Sequence, residues 1–153
     1  MTLPDEVDVL VVDDDPLEAE VTIRPLKEAR PDARIGVARD GEEALDFLLA
    51  RGAFRHRLGL PLPRLILLDF KLPRLDGLDV LRAIRSSPRT STAPVVMMTS
   101  SAEPREIAQC YHLGANSIVQ KPVVIGEFRA MLRDLGRYWL GINQVTPGPS
   151  PLP

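Results

Sequence analysis

Two short apolar runs, Val9-Leu10-Val11-Val12 and Leu65-Ile66-Leu67-Leu68, pass straight into aspartate, the first into Asp13-Asp14-Asp15 and the second into Asp69. Short runs rich in leucine and β-branched residues, bounded by turn signals, read as strands buried on both faces. The acids then stand at the strands' carboxyl ends, where open α/β sheets bind their ligands. Carboxylates gathered in one crevice repel one another and raise each other's pKa, unless a hard divalent cation such as Mg²⁺ joins them. The pattern asks for a metal.

The rest of the chain repeats the alternation. A strand over 7–13 is followed by Asp15-Pro16-Leu17-Glu18, which reads as an N-cap, a proline at the first helical position and a capping-box glutamate opening a helix that reaches about Ala29. A second strand is expected over 34–38. Asp40-Gly41-Glu42-Glu43 repeats the capping signal ahead of a helix ending near Arg51-Gly52, and a long loop with breaks at Gly59, Pro61 and Pro63 leads to the third strand. Asp76-Gly77 opens a third helix, residues 94–99 form a fourth strand, 103–112 a fourth helix and 117–120 a fifth strand. A last helix runs from Val124 to about Leu140. Five strands alternating with five helices predict an α/β fold, a doubly wound five-stranded parallel sheet with helices on both faces. Residues 1–142 are expected as one domain. Residues 143–153 form a Pro/Gly/Ser-rich tail, expected to be disordered or extended from Thr146 onward.

Composition narrows the function. With a net charge of −2 the chain offers no basic footprint for nucleic acid, and no stretch is long and apolar enough to suggest a membrane span. A lone cysteine, Cys110, forms no internal disulfide and reads as packing. The chain starts without a basic or apolar signal segment, so the expected setting is cytoplasmic. Lysines are scarce beside arginines, at Lys27, Lys71 and Lys121, so the position of each carries information.

Thr99, Ser100 and Ser101 end the fourth strand and Lys121 ends the fifth. Four strand ends thus present acid, acid, hydroxyl and ammonium to one crevice. That set suits transfer of a phosphoryl group onto a carboxylate: Mg²⁺ neutralises phosphoryl oxygens, a hydroxyl donates to one and a lysine pairs with another. Asp69 is the nucleophile of such a step.

In the order Asp13-Asp14, Asp69, Thr99 and Lys121-Pro122, with Leu72-Pro73 and Asp76-Gly77 after the acceptor, the chain resembles the response-regulator receiver domains of bacterial two-component signalling over about residues 7–140. The resemblance implies a flavodoxin-like strand order 2-1-3-4-5 and a phosphoryl group accepted on Asp69 from a sensor histidine kinase. It implies Mg²⁺ held by Asp13, Asp14, Asp69 and the backbone carbonyl of Lys71, with Thr99 and the Ser100 N–H on phosphoryl oxygens and Lys121 in an ion pair. A cis peptide at Lys121-Pro122 is also implied. Asp15 falls outside the acid pair and reads as a helix N-cap.

Two positions depart from the family's pattern. Ile118 stands where many receivers carry an aromatic three residues before the lysine, and Lys71 puts a cation where it can lean over the phosphoryl group. Lys71 is therefore expected to change the lifetime of the aspartyl phosphate.

The segments Arg39-Asp40-Gly41-Glu42-Glu43-Ala44-Leu45-Asp46-Phe47-Leu48, Leu113-Gly114-Ala115-Asn116-Ser117 and Tyr138-Trp139-Leu140, with the long loop over 51–64, resemble single-domain regulators paired with bacterial phytochrome histidine kinases. That resemblance implies a light-regulated kinase as phosphodonor and a homodimer. Phe128, Met131, Leu132, Leu135, Trp139 and Ile142 form an apolar stripe longer than one face of a sheet needs, so its far end, Tyr138-Trp139-Leu140 through Ile142, serves either the core or a subunit contact along the C-terminal helix and the strand-five side. With no output domain following, the phosphorylated surface or dimer itself is the expected output. The chain is then a signalling module, not an enzyme acting on an external substrate. Two alternatives stand beside this reading: a haloacid-dehalogenase-like Mg²⁺-dependent phosphatase, disfavoured by Lys71 where that family has a second acid, and a phosphorylation-independent scaffold.

Overall fold

The computed structural model describes residues 3–146. In chain order it contains β1 (Val9–Val12), α1 (Pro16–Ala29), β2 (Ile35–Ala38), α2 (Gly41–Leu48), β3 (Leu65–Asp69), α3 (Gly77–Ser86), β4 (Val95–Thr99), α4 (Pro104–His112), β5 (Ser117–Gln120) and α5 (Ile125–Arg137). All five strands are parallel, in the order β2-β1-β3-β4-β5. This is the expected doubly wound sheet.

Each strand divides its side chains between two cores, because successive residues point to opposite faces. Leu10, Val12, Ile66, Leu68, Val95 and Met97 pack beneath α2, α3 and α4, whereas Val9, Val11, Leu65, Leu67, Val96 and Met98 meet Leu26 of α1 and Phe128 and Leu132 of α5. Burial on both sides explains why these strands read as unbroken apolar runs. Three helices start on aspartate caps: Asp15, Asp40 and Asp76 each accept from backbone N–H groups of the first turn, and Asp76 with Asp79 completes a reciprocal capping box.

Differences from the sequence reading cluster at the ends of elements. The helix of α2 stops at Leu48, earlier than expected, because Ala50 (φ 54°) and Gly52 (φ 59°) turn the chain into the left-handed region. Part of the predicted loop is a 3₁₀ segment, Gly52–Arg57, and α5 continues as a π-helical segment, Tyr138–Ile142. The expectation for residues 147–153 of the tail lies outside the described residues.

The long loop is held by two arginines. Arg57 is fully buried and donates to the carbonyls of Asp5, Phe47 and Pro61, with its guanidinium 3.5 Å from the centre of the Phe47 ring. Arg89 donates to the carbonyls of Leu48, Arg57 and Leu58. Phe47 and Leu48 are the last residues of α2, so both cations cap the negative end of that helix. Burial, helped by the like charge of Arg89, pushes the Arg57 guanidinium down to about 10, which leaves it cationic at neutral pH. Replacing Arg57 by Met strands buried carbonyls and is expected to cost about 3 kcal/mol, read as a lower denaturant midpoint in chemical unfolding.

Candidate functional site

Parallel pairing aligns the carboxyl ends of four strands along one edge of the sheet. Asp13 follows β1 and its N–H donates to the Ala38 carbonyl at 3.0 Å; Asp69 closes β3 opposite Met98; Thr99 closes β4 opposite Gln120; and the Lys121 N–H donates to the Thr99 carbonyl at 2.7 Å. Asp13, Asp69 and Thr99 are buried while Asp14 is exposed. Asp14, Asp69, Lys71, Thr99, Ser100 and Lys121 all line one cavity of about 280 Å³. The last turn of this edge depends on Gly77: a Cβ there would collide with the backbone carbonyls of Asp69 and Phe70, so only glycine lets α3 start this close to the acid.

Oxygens of Asp13, Asp14 and Asp69 lie within 4.8 Å of one another, and this all-carboxylate, hard-oxygen set fits a divalent cation such as Mg²⁺ or Mn²⁺. Lys121 Nζ sits 2.7 Å from Asp69 Oδ1 and 2.5 Å from Glu18 Oε1. Burial is the main force raising the Asp69 carboxyl above its ordinary value, opposed by Lys121. Burial likewise pushes Asp13 up to about 7, with the Asp69 and Glu18 charges adding and the Asp15 N–H opposing. Lys121 is raised: burial works against its charge, and its two carboxylate partners outweigh it.

Asp15 is the N-cap of α1, its Oδ1 accepting from the N–H groups of Leu17 and Glu18 at 3.0 and 3.4 Å. The other half of the expected capping box is absent, since the Asp15 N–H donates to Asp13 Oδ1 at 2.9 Å and the Glu18 carboxylate turns to Lys121. Glu18 is thus a site residue that the sequence reading assigned to the helix start. Its place in the first turn of α1, directly after the acid pair, puts it beside the crevice, but its partner comes from the far end of the chain.

The Thr99 hydroxyl both donates to the Ser101 carbonyl and lies 3.1 Å from the Ser101 N–H, so the loop after β4 holds it. The Gln120 side-chain amide donates to the Ser100 carbonyl at 3.4 Å. The peptide before Pro122 is trans, correcting the expected cis bond; the isomers of an X–Pro bond differ by only about 0.5–1 kcal/mol, so the residue pair alone does not fix the choice. Ile118 is half-buried against the core under α4. Cys110 is buried, its thiol pushed up by that burial, as a packing residue requires.

A family model described as the response regulator receiver domain matches residues 9–133. The chain belongs to the response-regulator receiver family. This receiver domain is 35% identical over 143 residues to a probable methanogenesis regulatory protein, FilR2, of Methanothrix harundinacea, spanning 93% of this chain and 88% of that protein. The Mn²⁺-bound form of response regulator Rcp1 superposes with a TM-score of 0.84 at 28% identity, over 93% of this chain and 100% of that one. The bacteriophytochrome response regulator RtBRR is 41% identical, with a TM-score of 0.71 over 94% of this chain and 86% of that one. Membership of this family, with Lys71 in place of a second acid, decides against the haloacid-dehalogenase alternative. Among the described residues no helix is long and apolar enough to cross a membrane.

The electrostatics of the receiver site give it a pH dependence. The folded value of Asp13, about 7 against an ordinary 3.8, means that the metal-free fold holds this proton more tightly than the unfolded chain does. Its contribution to stability is therefore full below about pH 3.8, falls as pH rises from there, and is lost by about pH 7. A divalent cation bound here must displace that proton. Mg²⁺ affinity is expected to rise with pH up to about 7 and then level off, with about one proton released per ion near pH 6, measured by calorimetry in buffers of different ionisation enthalpy.

Proposed function

We propose that this receiver domain accepts a phosphoryl group on Asp69 from a sensor histidine kinase, with Mg²⁺ held by Asp13, Asp14, Asp69 and the Lys71 backbone carbonyl. The observation that carries the reading is the buried Asp69 carboxylate, within reach of two further acids on one side and paired with Lys121 on the other. When bound, the metal neutralises the negative charge that phosphoryl oxygens bring to an already acidic site. A carboxylate oxygen of Asp69 bonds to phosphorus as the P–N bond of the donor phosphohistidine breaks, and the donor imidazole keeps the electron pair. Lys121 then pairs with a phosphoryl oxygen, and the Thr99 hydroxyl leaves Ser101 to donate to another, with the Ser100 N–H beside it. Such a change biases two conformations of the β4–α4 loop, which is how a local charge becomes a surface signal.

Beside the site, Leu17, Val21 and Ile125 line a second hollow between α1 and the start of α5, and Val123 and Val124 are exposed in the loop that follows Lys121. A surface of this kind suits the donor kinase. The likeness to a protein described as a bacteriophytochrome response regulator supports a phytochrome-type kinase as that donor, and the proposed setting is cytoplasmic. Signalling proceeds through the chain's own surface or its dimer, without catalysis on an external substrate.

A homodimer forms through α5 and the β5 side. Met131, Leu135, Tyr138 and Trp139 line a shallow, mainly apolar hollow with Ser117, and Tyr138 and Ile142 remain exposed, 46% and 66%. Tyr138→Glu is expected to shift the protein from dimer to monomer in sedimentation analysis.

Incubation with acetyl phosphate and Mg²⁺ is expected to add one phosphoryl group by intact mass, lost in Asp69→Asn, and Lys71→Ala is expected to change the adduct's decay rate several-fold. No adduct on the wild-type chain would sink the acceptor reading. An unchanged decay rate would remove Lys71 from the mechanism.

A further inference from the structure

The Glu18 carboxylate lies closer to the site's ammonium than Asp69 does, at 2.5 Å against 2.7 Å, and all three groups are shielded: side-chain exposures are 29% for Glu18, 17% for Lys121 and 9% for Asp69. Lys121 has three N–H donors, and two are spent on these carboxylates. Glu18 does so at the cost of its own capping box, whose N–H partner is taken up by Asp13. It also lines the same cavity as Asp69, Thr99 and Ser100.

We propose that Glu18 is a positioning residue that competes with the phosphoryl group for Lys121 and so sets how readily Asp69 is loaded. The proposal rests on the reading of Asp69 as the acceptor. Its physical basis is charge. The phosphoryl oxygens need the ammonium that Glu18 holds, and the Glu18 charge adds to those of Asp13, Asp14 and Asp69 in repelling an anionic donor. Glutamine keeps a side-chain oxygen at the same reach, so Glu18→Gln removes the charge while leaving a hydrogen-bond acceptor for Lys121.

With acetyl phosphate the step is balanced without a proton: an Asp69 carboxylate oxygen bonds to phosphorus, the bond from phosphorus to the bridging oxygen breaks, and acetate leaves with the electron pair. The experiment follows adduct formation on the full chain with Mg²⁺ and acetyl phosphate by intact mass. It adds titration calorimetry with beryllofluoride as a phosphoryl mimic. Glu18→Gln is expected to load roughly five- to twenty-fold faster than wild type and to bind beryllofluoride tighter by a similar factor, the scale of one unit charge a few ångströms away at an effective dielectric near 20, discounted for partial exposure. Loading at the wild-type rate or slower overturns the proposal. So does a lowered unfolding temperature with unchanged loading, which assigns Glu18 to the helix start alone. A wild-type chain that forms no adduct at Asp69 overturns the acceptor reading instead, so the two failures are distinguishable.

Discussion

Four carboxylates, Asp13, Asp14, Asp69 and Glu18, converge on the carboxyl edge of the sheet, and the Lys121 ammonium bridges two of them. Like charges this close, partly removed from water, cost folding energy that a bound cation, the Lys121 ammonium or a retained proton offsets. Much of the fold serves to hold them together. Parallel register sets Asp13, Asp69 and Thr99 at neighbouring strand ends, the bare Cα of Gly77 lets α3 crowd against Asp69, and the β5 ladder delivers Lys121 beside β4. The two apolar cores supply the stability against which this local repulsion is tolerated.

That arrangement makes the site a responsive one. Buried acids with raised pKa values, a lysine shared between two partners and a threonine hydroxyl engaged only with its own loop each have a second arrangement within reach. On the proposed function, charge added at Asp69 redistributes these contacts while the packed sheet stays in place. The long loop, by contrast, is tied by Arg57 and Arg89 to the end of α2, away from these contacts.

Most of the architecture was legible because its signals are local. Apolar runs of four or five residues mark strands buried on both sides, and aspartates at 15, 40 and 76 mark helix starts. Helix ends were less legible: α2 stops early through a left-handed Ala50, a residue whose side chain gives no hint of that conformation. The π-helical extension of α5 carries Leu140 into the core cluster that holds Leu26 and Ala33, a tertiary contact that no spacing rule anticipates.

For the site the division is sharper. Residue order and strand ends by themselves determined that Asp13, Asp14, Asp69, Thr99 and Lys121 share one edge, since a parallel sheet must place the residues after its strands on the same side. Tertiary structure alone decided what Glu18 does. Local physics offers it the Asp15 N–H, a neutral donor near solvent. The fold brings within its reach the Lys121 ammonium, a full charge in a shielded crevice. The stronger, charge-assisted partner wins, and it exists only after the first helix and the last strand have come together.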